Sequence, residues 1–117
     1  MLKKRTCVVV GDAGGKGGSL VEKYAECSYC IAFMDADKAF GNSLKLKLEQ
    51  EYGRRVFFFH GDADSEEDLE LFAGAVIGQY RKVDCLYYHK NISQRVGMIE
   101  RLLDGHLKND GVVEAFC

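Results

Sequence analysis

Apolar residues recur along this chain in two alternating patterns. Short β-branched runs without a polar face, such as Thr6–Val10, predict strands that are buried on both sides. Longer stretches with apolar residues four positions apart, such as Phe40, Leu44 and Leu48, predict helices with one buried face. The predicted strands are Thr6–Val10, Tyr29–Met34, Arg55–His60 and Val83–Tyr88. The predicted helices are Lys16–Cys27, Lys38–Tyr52, a helix capped by Asp64 or Ser65 that continues through Ile77, and Ile92–Leu107.

The alternation of strand and helix predicts an α/β fold whose strands pair in parallel through right-handed crossovers. At 117 residues the chain has the length of one domain, so residues 1–117 are assigned to a single one. No internal repeat, low-complexity segment or linker interrupts the pattern. The tail from Val112 to Cys117 is short and apolar, and its structure stays open at this point.

Composition narrows the classes of protein that this chain can represent. Hydrophobic residues make up 47% and charged residues 29%, with a net charge of -2. This balance is typical of a globular domain and offers no basic surface for nucleic acid or an anionic membrane. No apolar run approaches the roughly 18 residues of a membrane span, and the first residues do not have the pattern of a signal peptide. Five cysteines, with Cys7 and Cys85 inside apolar runs, predict reduced thiols and a cytoplasmic protein.

A glycine-rich turn separates the first predicted strand from the first predicted helix. The turn reads Gly11-Asp12-Ala13-Gly14-Gly15-Lys16-Gly17-Gly18. A first glycine permits a sharp turn, and later glycines let backbone N–H groups at a helix start approach a pyrophosphate. The positive charge of Lys16 would attract an anion to this loop, whereas the negative charge of Asp12 would repel it. The loop is suited to a dinucleotide, although a tight turn without a ligand would use the same glycines.

An acidic residue follows the second predicted strand at the spacing that a dinucleotide site requires. Asp35 lies 18 positions after Gly17, and an acid about 20 residues beyond such a loop receives the ribose 2′-hydroxyl. The alternatives are that Asp35 is a carboxylate at the start of a loop or that it caps the following helix, and Asp37 could serve as that cap instead. A carboxylate at this position repels a 2′-phosphate, and Ala36 adds no positive charge, so NAD is favoured over NADP.

These segments together resemble the short-chain dehydrogenase/reductase family. Residues 10–17 resemble its glycine loop, Met34–Asp37 the end of its second strand, and His60–Ala63 the end of its third strand. The resemblance extends over about residues 4–93 and more faintly over Leu103–Lys108. It implies a Rossmann-like three-layer fold, with helices on both sides of a short parallel sheet in the order 3-2-1-4.

The resemblance also implies roles for individual residues. Asp62 and Ala63 correspond to the family residues that flank the adenine, and Asp35 corresponds to the aspartate that selects NAD. The residues assigned to cofactor binding are Gly11, Gly14, Gly15, Lys16, Gly17, Asp35, Asp62 and Ala63. No catalytic residue and no metal ligand is assigned.

Three departures from the family concern its catalytic half. After its fourth strand the family has Asn-Asn-Ala-Gly, whereas this chain has the bulkier residues Tyr88–Asn91. His106 stands where the family has an asparagine that organises the proton relay. None of the six tyrosines is followed four positions later by a lysine, so the catalytic Tyr-x-x-x-Lys of the family does not occur in these 117 residues.

The sequence therefore predicts a truncated family member that binds NAD and acts as a non-catalytic or regulatory partner. A second hypothesis is an oxidoreductase subunit whose active site is completed by another chain, or one that uses His89 and His106. A third is a scaffold that no longer binds nucleotide.

The predicted sheet leaves strand Val83–Tyr88 at its edge, where the family has a fifth strand. Parallel sheets seldom leave such an edge open. The candidates that would cover it are the last helix, the tail Val112–Phe116, a second copy of the chain, or another protein. We therefore expect a homodimer or a hetero-oligomer with a full-length dehydrogenase.

Three further features have simpler interpretations. The pair Cys27 and Cys30 lacks a second pair of ligands for zinc and is interpreted as incidental or core cysteine. Tyr87 and Tyr88 either pack at the sheet or fill the place of the nicotinamide. The acidic run Asp62–Glu70 is interpreted as a helix start with a solvated face.

Overall fold

Five parallel strands form the centre of the structure, and helices cover both faces of the sheet. The computed structural model describes residues 5–11, 16–53 and 55–116. The strands are β1 (Thr6–Val10), β2 (Cys30–Asp35), β3 (Val56–His60), β4 (Val83–His89) and β5 (Leu107–Phe116). The helices are α1 (Lys16–Glu26), α2 (Lys38–Tyr52), α3 (Glu66–Tyr80) and α4 (Val96–Leu102), the last preceded by a 3-10 helix (Lys90–Arg95).

The strand order is β3-β2-β1-β4-β5, and every neighbouring pair is parallel. All five residues of β1 are buried, as its β-branched run without a polar face predicts for a central strand. The Rossmann-like fold and the order 3-2-1-4 are confirmed, and the structure adds β5 beside β4.

Alternate residues of the central strands pack into two separate cores. One core contains Val9 and Phe33 with residues of α1 and α2. The other contains Val8 and Met34 with residues of α3 and α4. Because successive side chains of a strand point to opposite faces, each strand contributes to both cores. This arrangement is the predicted three-layer architecture.

Local capping signals place the ends of the helices close to where the sequence predicts them. The Asp37 side chain accepts a hydrogen bond from the Phe40 N–H at 3.0 Å and so begins α2. Gly53 ends that helix with a left-handed φ of 61°. Of the two residues considered for the start of α3, Ser65 is the cap, since its hydroxyl accepts from the Asp68 N–H at 3.2 Å.

The last third of the chain differs from its prediction. A helix over Ile92–Leu107 was expected, but α4 ends at Leu102, and a turn with Gly105 at a φ of 82° follows it. Ile92 itself has non-helical dihedral angles, φ -107° and ψ 18°. Of the candidates that would cover the edge of β4, the tail is the one observed, because it pairs with β4 as part of β5.

The pairing of β5 with β4 is irregular near its start. Leu107 pairs with Val83, and the next paired residues are Val112 and Cys85. At the bulge a Cβ on Gly111 would lie 2.7 Å from the Asp84 carbonyl oxygen. The close approach of strands β4 and β5 at this point therefore requires glycine. No helix in the described parts of the chain has the length and apolar content needed to cross a bilayer.

Candidate cofactor site

The carboxyl ends of β1, β2 and β3 meet at one edge of the sheet and are joined by backbone hydrogen bonds. The Gly11 N–H donates to the Met34 carbonyl at 3.2 Å, and the Gly61 N–H donates to the Asp35 carbonyl at 3.1 Å. The loops that follow β1 and β3 are thus both tied to the end of β2. In open parallel sheets, ligands bind at this edge, where the strand order reverses.

Gly11 begins the loop after β1 in a conformation that suits glycine. Its φ is 89°, and a Cβ on this residue would lie 3.3 Å from the Cβ of His89. Gly14 and Gly15 lie outside the described residues. Lys16 is exposed at the start of α1, and Gly17 is buried, which lets α1 pack close to the sheet.

Asp35 ends β2 and is half-buried. Its Oδ1 accepts a hydrogen bond from the Asp37 N–H at 2.7 Å, which orients the carboxylate. Because Asp37 is the cap of α2, the alternative that Asp35 serves as that cap is excluded. The hydrogen bond from the Asp37 N–H is the contact expected of a carboxylate at the start of a loop, and the ribose-binding role of Asp35 stays a prediction.

The loop after β3 is held rigid by its own hydrogen bonds. The Oδ1 of Asp62 accepts from the Asp64 N–H at 2.9 Å, and the Asp62 N–H donates to the Asp68 Oδ2 at 2.8 Å. Ala63 is half-buried against the core formed with α3 and α4. His60, at the end of β3, contacts the segment after β2, since its Nε2 donates to the Ala36 carbonyl at 3.0 Å. Asp62 and Ala63 therefore lie in a preformed loop at the same edge as Gly11 and Asp35.

His89 occupies the carboxyl end of β4, where the sequence departs from the family. Its Nδ1 accepts a hydrogen bond from the Asn91 N–H at 3.0 Å. The His89 ring packs edge-on against Phe116 of β5, with ring centroids 5.5 Å apart. His89 thus lies beside the start of the glycine loop, at a position where the family pattern has small residues.

His106 lies at the other end of β4. Its carbonyl accepts from the Val83 N–H at 2.8 Å, and its Nδ1 donates to the Arg81 carbonyl at 2.6 Å. A strand as long as β4 separates its two ends by about 20 Å. The hypothesis that His89 and His106 converge on one active site is therefore wrong. The physical reason is that β5 is parallel to β4, so the residue preceding it lies at the amino end of the sheet.

A polar cluster that the sequence did not single out lies between α1 and the sheet. The hydroxyl groups of Tyr24 and Tyr87 are 2.5 Å apart, and Cys7 is the register partner of Cys85. Of the two interpretations of Tyr87, this contact supports packing, because the ring lies against α1. Cys27 is exposed after α1, whereas Cys30 is buried in β2. Among the residues that the structure describes, no group of three or more His, Cys, Asp or Glu side chains could hold a metal ion.

Comparison with known proteins agrees with the fold. The sequence model of the family described as short chain dehydrogenase matches residues 5–108. Together with the parallel α/β sheet and the glycine turn after β1, this match establishes that the chain belongs to the short chain dehydrogenase family.

The individual relatives are longer than this chain. The (21S)-21-acetoxyl-apo-melianone synthase SDR of Melia azedarach is 23% identical over 94 residues, which are 80% of this chain and 33% of the relative. The chain therefore spans about a third of the length of the curated relative that it matches.

Two solved structures are similar in fold. The 7 alpha-hydroxysteroid dehydrogenase complexed with NADH and 7-oxo glycochenodeoxycholic acid has a TM-score of 0.82 at 17% identity, covering 99% of this chain and 56% of that one. The L-sorbose reductase of Gluconobacter frateurii complexed with NADPH and L-sorbose has a TM-score of 0.69 at 19% identity, covering 74% of this chain and 33% of that one. At these identities the two structures show the fold, and the first match extends through β5.

Proposed function

We propose that this chain binds NAD at the carboxyl edge of its sheet and does not catalyse hydride transfer on its own. The observation that carries the proposal is the position of Asp35 at the end of β2, joined through the backbone to the loops that contain Gly11 and Asp62. These are the residue types, at the strand ends, that a dinucleotide needs.

Each residue of the site has a distinct task in this proposal. Gly11 turns the chain, and the N-terminus of α1 with Lys16 and Gly17 attracts the pyrophosphate. Asp35 accepts hydrogen bonds from the adenosine ribose, and Asp62 and Ala63 flank the adenine. When bound, NADH supplies a hydride, and the chain's own residues bind and orient the adenosine half.

The preference for NAD rests on the charge of Asp35. A 2′-phosphate at the ribose would face this carboxylate, and Ala36 beside it contributes no compensating charge. The family includes structures with either cofactor, as the NADH and NADPH complexes above illustrate. We propose that Asp35 makes this chain prefer NAD.

The proposal that the chain is non-catalytic rests on the half of the site where the nicotinamide and the catalytic residues of the family would lie. No tyrosine in these 117 residues has a lysine four positions later, so the family's general acid does not occur among them. General acid–base catalysis contributes roughly 10²–10⁴-fold to a rate. In addition, His89 at the end of β4 lies beside Gly11, and its ring packs against Phe116 of β5.

Titration with NADH, followed by its fluorescence, tests the cofactor proposal. We expect saturable binding below millimolar concentration, weaker binding of NADPH, and about a tenfold loss of NADH affinity in Asp35→Asn, the cost of a charge-assisted hydrogen bond. The matched control is Asp37→Asn, which keeps a good helix cap and should keep its affinity. Equal affinity of Asp35→Asn and the wild type, or no saturation below millimolar, would reject the proposal in favour of a scaffold without nucleotide.

We further propose that a second chain pairs with the outer edge of β5. The support is that β5 is the last strand of the described sheet and exposes Val112 and Val113, each 39% accessible. Sedimentation at micromolar concentration should show a dimer, or a complex with a full-length dehydrogenase when the two are mixed. Val113→Lys should weaken the association of the two chains. Leu71→Lys, which changes an exposed leucine of α3, should leave the association unchanged. A monomer in both experiments contradicts this proposal.

Turnover assays separate the two functional hypotheses. The non-catalytic proposal expects no NADH oxidation by this chain, alone or mixed with a full-length family member beyond that member's own rate. A rate that appears only in the mixture favours an active site completed by another chain.

A further inference from the structure

The polar cluster between α1 and the sheet contains two thiols that face each other. Cys7 of β1 and Cys85 of β4 are register partners on neighbouring parallel strands, and both belong to the same buried core. Neighbouring strands lie about 4.8 Å apart. Disulfide-bonded cysteines have Cα atoms roughly 4.4–6.8 Å apart. The backbone thus holds these two thiols at a disulfide's spacing.

Tyrosine hydroxyl groups surround the pair. Hydrogen bonds join Cys85 to Cys7, Tyr24 and Tyr29, and Tyr24 in turn contacts Tyr87 at 2.5 Å between hydroxyl oxygens. A hydroxyl has one proton to donate. When Tyr24 donates to the Cys85 sulfur, its oxygen accepts the proton of Tyr87. The tyrosine hydroxyl groups therefore direct hydrogen-bond donors toward the Cys85 sulfur. Apolar side chains in their place would offer no such donors.

These contacts shift the pKa values of the two thiols in opposite directions. The hydrogen bond from Cys7, assisted by those from Tyr24 and Tyr29, lowers the pKa of Cys85 to about 7 against the opposing effect of burial. Burial, followed by the interactions with Cys85, raises the pKa of Cys7 well above its ordinary value. Cys85 is 4% accessible and Cys7 is 0%. Since the thiolate is the nucleophile, Cys85 is the thiol that reacts first.

We propose that Cys7 and Cys85 are a redox-active pair that a hydroperoxide converts to a disulfide within the folded protein. The Cys85 thiolate attacks one oxygen of hydrogen peroxide, an S–O bond forms and the O–O bond breaks, which leaves a sulfenic acid on Cys85. The departing hydroxide takes up the proton that Cys85 released on ionisation and becomes the first water. The sulfur of Cys7 then attacks the sulfur of Cys85 and loses its proton. Hydroxide leaves and takes up that proton as water. Two thiols are oxidised, and one hydrogen peroxide is reduced to two waters.

The position of the pair connects it to the cofactor site without depending on nucleotide binding. Gly11 follows Cys7 by four residues, and His89 follows Cys85 by four residues. A disulfide would covalently join the two strands whose carboxyl ends hold Gly11 and His89 together. The pair is thus placed to link the oxidation state of the protein to the edge where the cofactor is proposed to bind.

Peptide mapping tests the proposal directly. The folded protein is treated with hydrogen peroxide at pH 7, quenched with N-ethylmaleimide and digested with trypsin. Cys7 then lies in peptide 6–16, Cys85 in peptide 83–90, and both Cys27 and Cys30 in peptide 24–38. We expect 6–16 linked to 83–90 as the first oxidised product, reversed by dithiothreitol. Oxidation of 24–38 without this link, or a link that forms only in urea, overturns the proposal.

Variants test the role of the hydroxyl groups. Tyr24→Phe should slow formation of the link at pH 7 by about fivefold, the fall in thiolate fraction when the pKa rises from 7 by one unit. Tyr52→Phe is the matched control, because its hydroxyl contacts Glu22 instead, and its rate should equal that of the wild type. Cys85→Ser should form no link. Equal rates in Tyr24→Phe and the wild type overturn the assignment of Cys85 as the tyrosine-activated thiol.

Discussion

Gly11 and His89 are in such close contact that a Cβ on Gly11 would lie 3.3 Å from the Cβ of His89. Gly11 directly follows β1 and His89 ends the neighbouring parallel strand β4, so the contact holds the start of the glycine loop against the fourth strand. The positive φ of Gly11, 89°, turns the chain away at this point. The backbone conformation thus favours glycine here, and the space beside His89 is tight for any larger residue.

Gly11→Ala should therefore destabilise the protein and weaken nucleotide binding. A non-glycine residue at such a φ costs about 1–3 kcal/mol, and the new methyl group must also displace His89. Urea unfolding followed by circular dichroism measures the loss of stability, and NADH titration measures the loss of affinity. Gly74→Ala is the control, since Gly74 lies within α3 and a Cβ there meets no atom within 4 Å. It should stabilise the protein by about 0.5–1 kcal/mol, and a loss of stability there would contradict this account.

Asp84 joins three strands at the amino edge of the sheet. Its Oδ2 accepts from the Thr6 N–H at 2.7 Å, and its Oδ1 pairs with the Lys108 Nζ at 3.2 Å. The Asp84 side chain is 13% accessible and that of Lys108 is 35%. Asp84→Ala should lower the free energy of unfolding by about 2–3 kcal/mol, because it leaves a backbone donor and an ammonium without their partner.

Lys108→Met separates the contribution of the ion pair with Lys108 from that of the hydrogen bond with Thr6. It removes only the more exposed ion pair, so the loss in urea unfolding should stay below about 1 kcal/mol. Equal losses in Lys108→Met and Asp84→Ala would show that the hydrogen bond to Thr6 contributes nothing measurable.

Tyr80 should make the free energy of unfolding decrease as the pH rises into the alkaline range. Burial raises the pKa of Tyr80 from its ordinary value of 10.0 to about 12, and its hydroxyl donates to the Ile31 carbonyl at 3.1 Å. The unfolded chain releases this proton first, so the stabilising effect is complete below pH 10 and is lost between about pH 10 and 12. Tyr80→Phe should be less stable at pH 7 by about 1 kcal/mol, and its stability should fall less over that range. Urea midpoints at pH 7, 10 and 11.5 measure both effects, and parallel pH profiles would contradict the prediction.

Elements that rest on local signals could be predicted well from the sequence. The valine run of β1, the helical spacing and caps of α2, and the serine cap of α3 depend on residues within a few positions of one another. The same holds for the glycine turn and Asp35, whose spacing along the chain suggests a dinucleotide site before any contact is known. Period, capping and turn chemistry are properties of short segments, and they are therefore visible in one sequence.

Features that depend on pairing between distant segments appear only in the tertiary structure. The tail could not be assigned until β5 was seen beside β4, and His106 could not be separated from His89 until β5 proved parallel to β4. Likewise, nothing in the spacing of Cys7 and Cys85 places them opposite each other, since that depends on the register of β1 and β4. The sequence by itself determined the class of fold, and it predicted which residues form the adenosine half of the proposed site. Only the tertiary structure decided which side chains meet there, because register and strand order are set by packing between residues far apart in the chain.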